Sequence, residues 1–149
     1  MTESKPIRPA QMTDAEEIAR LAIELGYPVS AAEICSGLAL LLASEHHFVA
    51  VAPGDDGQLL GWVTVELRVL LESGKRAEIS GLVVTASARR AGVGGKLVRV
   101  AEQWAARHAL SSICVRSNIA RVESHPFYQT MKYVRKKTQH IYEKPLSSG

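Results

Sequence analysis

Residues 89–96 are the part of the chain whose residue types and spacing point most directly to chemistry. Three of these residues are glycines, which let a ligand approach the main chain closely, and three are arginine or lysine. The segment follows a buried apolar run and opens a long helical pattern. Main-chain amides and the partial positive charge of a helix N-terminus would therefore be directed at the same bound anion. This predicts a diphosphate site formed by Arg89, Arg90, Ala91, Gly92, Val93, Gly94, Gly95 and Lys96.

Two familiar nucleotide motifs do not fit this segment. The phosphate loop of nucleotide hydrolases needs an earlier glycine and a serine or threonine after the lysine, where this chain has Arg90 and Leu97. The dinucleotide fingerprint needs a third glycine where Leu97 stands, and it follows the first strand of a fold. A helix start without a ligand is the remaining alternative. Three glycines in four positions are costly in a helix start and unneeded for capping alone.

Strands and helices are predicted on both sides of this segment. Strands are expected at 7–9, 48–52, 59–69, 79–84, 113–115, 133–136 and 139–143, and helices at 13–25, 30–43, from the glycine-rich turn to about 110, and between 121 and 131. Capping boxes are expected at Thr13 with Glu16 and at Ser30 with Glu33. Three successive strands in the middle predict an α/β fold with a mixed sheet and helices on both faces.

Length and composition predict one domain over residues 1–146 with a loose tail at 147–149. The formal charge of +3 suits either nucleic acid or a small anionic ligand, and the basic run at 132–137 alternates like a solvated strand face. We expect no signal peptide or membrane span, a cytoplasmic location, and no binding to membrane or nucleic acid. Cys35 and Cys114 lack metal-ligand spacing, so two reduced, mostly buried thiols and no metal are expected.

The glycine-rich segment resembles the coenzyme-A loop of the GNAT superfamily of N-acetyltransferases, [QR]-x-x-G-x-[GA], through Arg89, Gly92 and Gly94. The apolar strand at 82–84, the helix that follows the loop, and the predicted element order are also similar to that family. The resemblance implies a GNAT-like acyl-CoA N-acyltransferase fold, with a central mixed sheet of six to seven strands and about four helices. It also implies acetyl-CoA as the cofactor of an N-acetyltransferase.

A second block is similar to a GNAT subgroup that includes aminoalkylphosphonate N-acetyltransferases. Its residues are Ser117, Asn118, Arg121, Ser124, His125, Phe127, Tyr128, Met131, Lys132 and Tyr133. Two positions depart from that subgroup. Lys132 stands where the subgroup usually has glycine, and a left-handed lysine at this helix end costs about 1 kcal/mol. Pro126 is tolerated in a first helical turn, so the helix is expected to begin near Ser124.

The resemblance also implies roles at the reacting centre. The fourth and fifth strands would splay apart, and free main-chain groups of Leu82, Val83 and Val84 would pair with the pantetheine arm and support the oxyanion. Tyr128 stands at the position where the family often has its general acid. Asn118 stands where a ligand of the cofactor's amides is expected. The structural alternatives are a half-buried core tyrosine and a turn asparagine.

Glu78 lies before the motif in the fourth strand and shares a face with Ser80 by the two-residue period. Near the splay it would accept the amine proton through a water that Ser80 orients. The alternative is a strand-end carboxylate paired with Arg76 or Lys75. His46, His47 and His125 are weaker candidates for a base, since loop histidines are usually solvated.

The acceptor site is expected near the loops at 26–29 and 69–75, with Tyr27 and Glu72 as candidate substrate contacts. The predicted function is transfer of an acetyl group to the primary amine of a small molecule by direct attack in a ternary complex. A non-catalytic acyl-CoA-binding regulatory module and an acetyltransferase for protein lysines or N-termini are the alternatives. Similar proteins often form homodimers, so a homodimer is expected.

Overall fold

A computed structural model describes residues 5–89, 91–117 and 124–147 of the chain. The chain divides into two compact units, Met1–Arg116 and Ser117–Gly149. The single domain expected over residues 1–146 therefore stays a prediction. In the described part of the chain, no helix has the length and apolar character needed to cross a bilayer.

The first unit is built from strands and helices close to those that the sequence predicts. Its strands are β1 (Arg8–Pro9), β2 (His47–Pro53), β3 (Leu59–Leu70), β4 (Gly74–Val84) and β5 (Ile113–Val115), and its helices are α1 (Ala15–Glu24), α2 (Ala31–Leu42) and α3 (Val93–Arg107). Short 3-10 turns at Met12–Asp14 and Ala86–Ala88 precede α1 and the glycine-rich segment. Strand β4 begins five residues before its predicted start, because it pairs with β3 through the whole hairpin to Gly74.

The sheet has the order β1-β2-β3-β4-β5. The first four strands pair antiparallel, and β5 pairs with β4 in parallel. The predicted mixed sheet is confirmed, but it has five strands in the described residues, where six to seven were expected.

The two strands predicted at 133–136 and 139–143 are absent from the second unit, in which residues 133–147 form no helix or strand. Four of the residues from 132 to 137 are lysine or arginine, and the apolar side chains in this stretch are exposed. Val134, Ile141, Tyr142 and Leu146 are all at least 75% accessible. Side-chain alternation predicted these strands, but alternation stabilises a strand only when one face is buried.

Helices cover both faces of the sheet. On one face, α1 and α2 pack over an apolar core that includes Ile18, Leu21 and Leu38, and the indole Nε1 of Trp62 donates to the carbonyl of Ile18 at 3.2 Å. On the other face, α3 packs against the sheet, where Phe48 stacks on Trp104 at a ring distance of 6.4 Å. The prediction of helices on both faces is confirmed.

The two predicted capping boxes have different outcomes. At α2 the box forms, because Ser30 Oγ accepts from the amide of Glu33 at 3.1 Å and the Glu33 carboxylate accepts from the amide of Ser30 at 3.2 Å. At α1 the expected box of Thr13 and Glu16 is wrong. There, the carboxylate of Asp14 accepts from the amide of Gln11 at 2.8 Å and makes two bonds with Arg8, at 2.8 and 2.9 Å. Hydrogen bonding with the Arg8 guanidinium holds the pKa of Asp14 below its usual value, and the ionised carboxylate caps the 3-10 turn that precedes α1.

The second unit contains helix α4 (Ser124–Thr130), with Pro126 in its first turn as expected. The helix ends in a left-handed residue, Lys132, with φ 72°. The amide of Lys132 donates to the carbonyl of Gln129, the amide of Tyr133 donates to that of Tyr128, and the rings of Tyr128 and Tyr133 lie 5.9 Å apart. These bonds and this apolar contact define a Schellman end, a position at which glycine is favoured.

Candidate active site

The pairing of strand β4 with both neighbouring strands changes near Ser80. The strand pairs with β5 only from Ala77 to Ile79, and its pairing with β3 shifts by one residue between Ile79 and Gly81. Ser80 is thus the extra residue of a β-bulge, which bends the strand at the point where pairing with β5 ends. In the described residues, β4 therefore continues to Val84 with β3 on one side and without β5 on the other.

The register shows which main-chain groups of β4 face this open edge. The carbonyl of Val83 points toward Gly61 on β3, and the amide of Thr85 donates to Leu60 on β3 at 2.8 Å. Since successive residues of a strand direct their amides and carbonyls to opposite sides, those of Leu82 and Val84 point away from β3. The open edge thus presents the main-chain groups of Leu82 and Val84, while those of Val83 face β3.

The glycine-rich segment leads into the first turn of α3. Gly92 caps the helix in the left-handed conformation, with φ 81°, and the first helical bond runs from the amide of Lys96 to its carbonyl at 3.1 Å. The amides of Val93, Gly94 and Gly95 precede this ladder, as the first amides of any helix do. A helix N-terminus formed by small residues lets an anion approach these amides closely.

The side chains around this turn suit a diphosphate. Arg89 and Lys96 are exposed, whereas Val93 and Gly95 are buried against the sheet and hold the backbone in place. The predicted ligands Arg90 and Asn118 lie outside the described residues. The donors that are described therefore fit the diphosphate predicted from the sequence, with positive charge at the rim and main-chain amides at the base.

Glu24, the last residue of α1, bonds to the chain shortly before the glycine-rich segment. Its carboxylate accepts from Thr85 Oγ1 at 2.9 and 3.0 Å and from the amide of Ala86 at 3.0 Å. The Ala86 amide and the Thr85 hydroxyl keep the pKa of Glu24 below its usual 4.5, so the carboxylate is ionised at neutral pH. No signal in the sequence links Glu24 to residues 61 or more positions later, so this residue was missed.

Replacing Glu24 by alanine is expected to raise the KM for acetyl-CoA about fivefold and to leave kcat nearly unchanged. The lost bonds to a partly exposed carboxylate correspond to about 1 kcal/mol, and their loss loosens the turn before the diphosphate site. Steady-state kinetics with acetyl-CoA as the varied substrate measure the change. Glu16→Ala, at an exposed glutamate of the same helix, is the control, and equal KM values for the two variants would contradict the positioning role.

Glu78 is buried, at 4% accessibility, within a cluster on the same strand face as Ser80. One carboxylate oxygen pairs with Arg68 at 3.1 Å, and the other accepts from Arg116 at 3.2 Å and from the Cys114 thiol at 3.4 Å. Burial alone would raise the pKa of Glu78, but the hydrogen bonds from Cys114 and Arg68 and the two guanidinium charges outweigh it and lower the pKa. Glu78 therefore has ion-pair partners other than the predicted Arg76 and Lys75, and its role as base stays a prediction.

Both cysteines are free, as expected, but Cys35 on α2 is exposed and only Cys114 is partly buried. Cys35 is exposed because α2 packs on the core through Leu38, together with the partly buried Ile34 and Leu41. Burial and the Glu78 carboxylate raise the pKa of the Cys114 thiol, which stays protonated and donates to Glu78.

A cavity of about 220 Å³ lies between α2 and the sheet face that carries Ser80. Its floor is formed by Trp62, Thr64, Ser80 and Gly81, and its wall by α2 residues including Gly37. A side chain at Gly81 would meet the Trp62 ring at 2.7 Å and the Thr64 hydroxyl at 2.9 Å, so glycine is required for this floor. The cavity reaches β4 next to Leu82, whose amide faces the open edge.

Of the residues predicted to contact substrate, Ser80 lines this cavity, and Tyr27 and Glu72 do not. Tyr27 is 43% accessible after α1, and Glu72 is exposed in the turn between β3 and β4. Tyr128 lies in the second unit, half-buried between the rings of Phe127 and Tyr133. Sequence reasoning did not anticipate Glu33, Gly37 or Trp62 as cavity residues, although the capping box had placed Glu33 in the first turn of α2.

The five-stranded mixed sheet, the open edge of β4 and the glycine-rich helix start are together those of an acyltransferase fold with a candidate diphosphate site. The sequence profile of the acetyltransferase (GNAT) family matches residues 13–133, and the chain belongs to this family. It is an N-acetyltransferase, and GNAT acetyltransferases use acetyl-CoA.

Among characterised proteins, the chain is similar to enzymes that act on one group of antibiotics. It is 35% identical over 113 residues to the aminoglycoside N(6')-acetyltransferase type 1 of Klebsiella aerogenes, and the match covers 70% of this chain and 73% of that protein. It is 27% identical over 110 residues to the enzyme of the same name from Serratia marcescens, covering 71% and 75%.

Solved structures show the same fold. The aminoglycoside 6'-N-acetyltransferase AAC(6')-IG of Acinetobacter haemolyticus superposes with a TM-score of 0.82 at 20% identity, over 96% of this chain and all of that one. AAC(6')-Iy in complex with CoA superposes with a TM-score of 0.86 at 17% identity, over 98% and 97%.

Proposed function

We propose that the protein transfers the acetyl group of acetyl-CoA to the primary amine of a small molecule, by direct attack within a ternary complex. The observation that carries this proposal is the open edge of β4 beyond Ile79, with the diphosphate turn after its end and the cavity beside it. A thioester held along this edge has main-chain donors on one side and space for an amine on the other.

The chemistry requires few groups from the protein. The amine nitrogen bonds to the acetyl carbon, the carbon–sulfur bond breaks, one proton leaves the nitrogen, and the departing thiolate takes up a proton. The amide of Leu82 or Val84, directed away from β3, is proposed to stabilise the oxyanion. Tyr128 is proposed to donate the proton to sulfur.

Glu78 is proposed to take the proton from the amine. The lowered pKa supports this only in part, because it keeps the carboxylate ionised but makes it a weak base. The proton would therefore stay on Glu78 briefly and pass to water.

The names of the relatives make aminoglycosides one acceptor class to test. Release of free thiol from acetyl-CoA, measured over a panel of aminoglycosides, polyamines, aminophosphonates, amino acids and simple amines, tests the proposed function. We expect at least one amine to raise thiol release well above the rate without amine. If acetyl-CoA binds in calorimetry and every amine leaves the rate at background, the regulatory module replaces the enzyme. If only a peptide amine is acetylated, the protein-acetyltransferase alternative replaces the small-molecule acceptor.

Replacing Glu78 by glutamine is expected to lower the free energy of unfolding by about 1–2 kcal/mol at pH 7, because a buried carboxylate loses its charge between two partly exposed arginines. The folded-state pKa of Glu78 is below the usual 4.5, so its stabilisation is complete above that value and is lost as the pH falls through the folded-state pKa. The difference between the two proteins in urea unfolding should thus shrink below pH 4.5.

The same variant tests the base. If Glu78 is the base, kcat of Glu78→Gln falls along with the stability of the protein. An unchanged kcat would leave Glu78 with the ion-pair role alone. Glu66→Gln, at a partly exposed glutamate opposite Glu78 on β3, is the matched control for a nearby charge change.

The homodimer is proposed on the resemblance alone, and the cytoplasmic location stays the prediction made from the sequence. Light scattering coupled to size exclusion measures the first, and a mass of one chain, 16.2 kDa, would contradict it.

A further inference from the structure

The cavity between α2 and the sheet is apolar apart from a few side chains. Among the described residues that line it, Glu33 carries the one charge, and Thr64 and Ser80 supply the hydroxyls. The others include Ile18, Leu38 and Trp62. A ligand that fills this space must therefore bury mainly apolar surface.

The indole donor and one hydroxyl donor of the floor are already used within the protein, while the hydroxyl oxygens keep acceptor capacity. The hydroxyls of Thr64 and Ser80 lie 2.8 Å apart and bond to each other, and the indole nitrogen of Trp62 donates to Ile18. Glu33 is exposed at the wall, where one oxygen accepts from the amide of Ser30 and the carboxylate keeps capacity for a cation. The cavity thus offers charge pairing to one ammonium group.

Size and charge both disfavour a polycation in this space. The cavity volume of about 220 Å³ is below the range of about 300–1,000 Å³ typical of sites for drug-sized ligands. A second ammonium group buried in this space would lose hydration without a second carboxylate among the described lining residues. The chain also has a formal charge of +3, so its overall field does not attract cations.

We propose that the acceptor is a small monoamine with an apolar body, which occupies the cavity between α2 and β3–β4 and pairs with Glu33, in preference to a polycationic aminoglycoside. This inference rests on the proposed function and names the acceptor class for that site. It departs from the acceptor that the names of the relatives suggest. The observation behind this inference is the largely apolar lining of the cavity, including the α2 residues around Gly37.

Gly37 provides a direct test of this cavity. A Cβ atom at this position meets no other atom within 4 Å, and a helical side chain leans toward the preceding turn, where Glu33 and Ile34 line the cavity. Gly37→Ala and Gly37→Leu should fill the space in two steps without disturbing the fold, since both replacements favour a helix over glycine. Ala39→Leu adds the same side chain on the exposed face of α2 as a control.

The experiment compares 2-phenylethylamine with neamine and spermidine as acceptors, by thiol release and by calorimetric titration of the CoA-bound protein. We expect kcat/KM for 2-phenylethylamine to exceed that for either polycation by about tenfold or more. We expect Gly37→Leu to lower it by about tenfold and to weaken calorimetric binding, Gly37→Ala to do less, and Ala39→Leu to change neither. Glu33→Gln, which keeps the capping bond, should raise the KM of the amine and leave that of acetyl-CoA unchanged.

The outcomes separate the two proposals. Equal or better kcat/KM for neamine, or equal kinetics for Gly37→Leu and Ala39→Leu, would overturn the monoamine assignment while leaving the acetyltransferase intact. Thiol release at background with all three amines and with the wider panel would instead remove the proposed function, and this inference with it.

Discussion

Replacing Tyr128 by phenylalanine is expected to lower kcat about a hundredfold and to change the KM values of both substrates little. A positioned general acid contributes about 10²–10⁴-fold to a reaction, and the substitution removes the hydroxyl that is proposed to protonate the leaving thiolate. The aromatic ring is retained, and with it the contacts with Phe127 and Tyr133. Steady-state kinetics at saturating acetyl-CoA measure the effect.

Tyr133→Phe is the matched control for this experiment. It removes one hydroxyl from the neighbouring ring of the same unit and keeps the contact that closes the end of α4. If Tyr128→Phe retains the kcat of the native protein, or if both variants lose activity equally with lowered melting temperatures, Tyr128 is a structural residue and the acid must be sought elsewhere.

Replacing Gly92 by alanine is expected to raise the dissociation constant and the KM of acetyl-CoA about tenfold or more, equivalent to at least about 1.4 kcal/mol. Gly92 has φ 81°, where an L-residue is strained by about 1–2 kcal/mol, and its backbone lies at the turn that presents the amides of Val93, Gly94 and Gly95. The new Cβ meets no protein atom within 4 Å, so the loss would arise from the altered turn and from crowding of the ligand. Calorimetric titration with CoA measures the affinity directly.

Gly57 offers a closely matched control. It also has φ 81° and open space where a Cβ atom would stand, but it lies in the hairpin between β2 and β3. Gly57→Ala should cost similar stability and leave CoA affinity unchanged. If the two variants bind CoA equally well, the diphosphate site cannot be the turn at Gly92, and the assignments that depend on that site fall with it.

Local sequence determined much of the fold and of the candidate diphosphate site. The helical spacing of apolar residues and the Ser30–Glu33 box predicted α2, and the period of two in 59–69 predicted β3. Glycines and cations in one short segment marked the helix start that Gly92 caps. The resemblance to the aminoalkylphosphonate subgroup implied a left-handed residue at Lys132, and the φ of Lys132 is 72°. These features depend on neighbours within a few positions, so one sequence is enough to find them.

The tertiary structure alone decided the surroundings of each predicted residue. The bulge at Ser80 arises from the register between two strands and places Leu82 and Val84, but not Val83, at the open edge. Glu78 has Arg68 and Arg116 as partners, and Glu24 bonds to Thr85 and Ala86, across separations that no local pattern encodes.

The strands expected at 133–136 and 139–143 failed for the same reason, since alternation predicts a strand only where tertiary packing buries one face. The sequence by itself identified the segment that is proposed to bind a diphosphate and most of the helices and strands. Packing decided the register, the partners of buried charges and the apolar cavity beside β4, because these depend on free energies of burial and pairing between residues far apart in the chain.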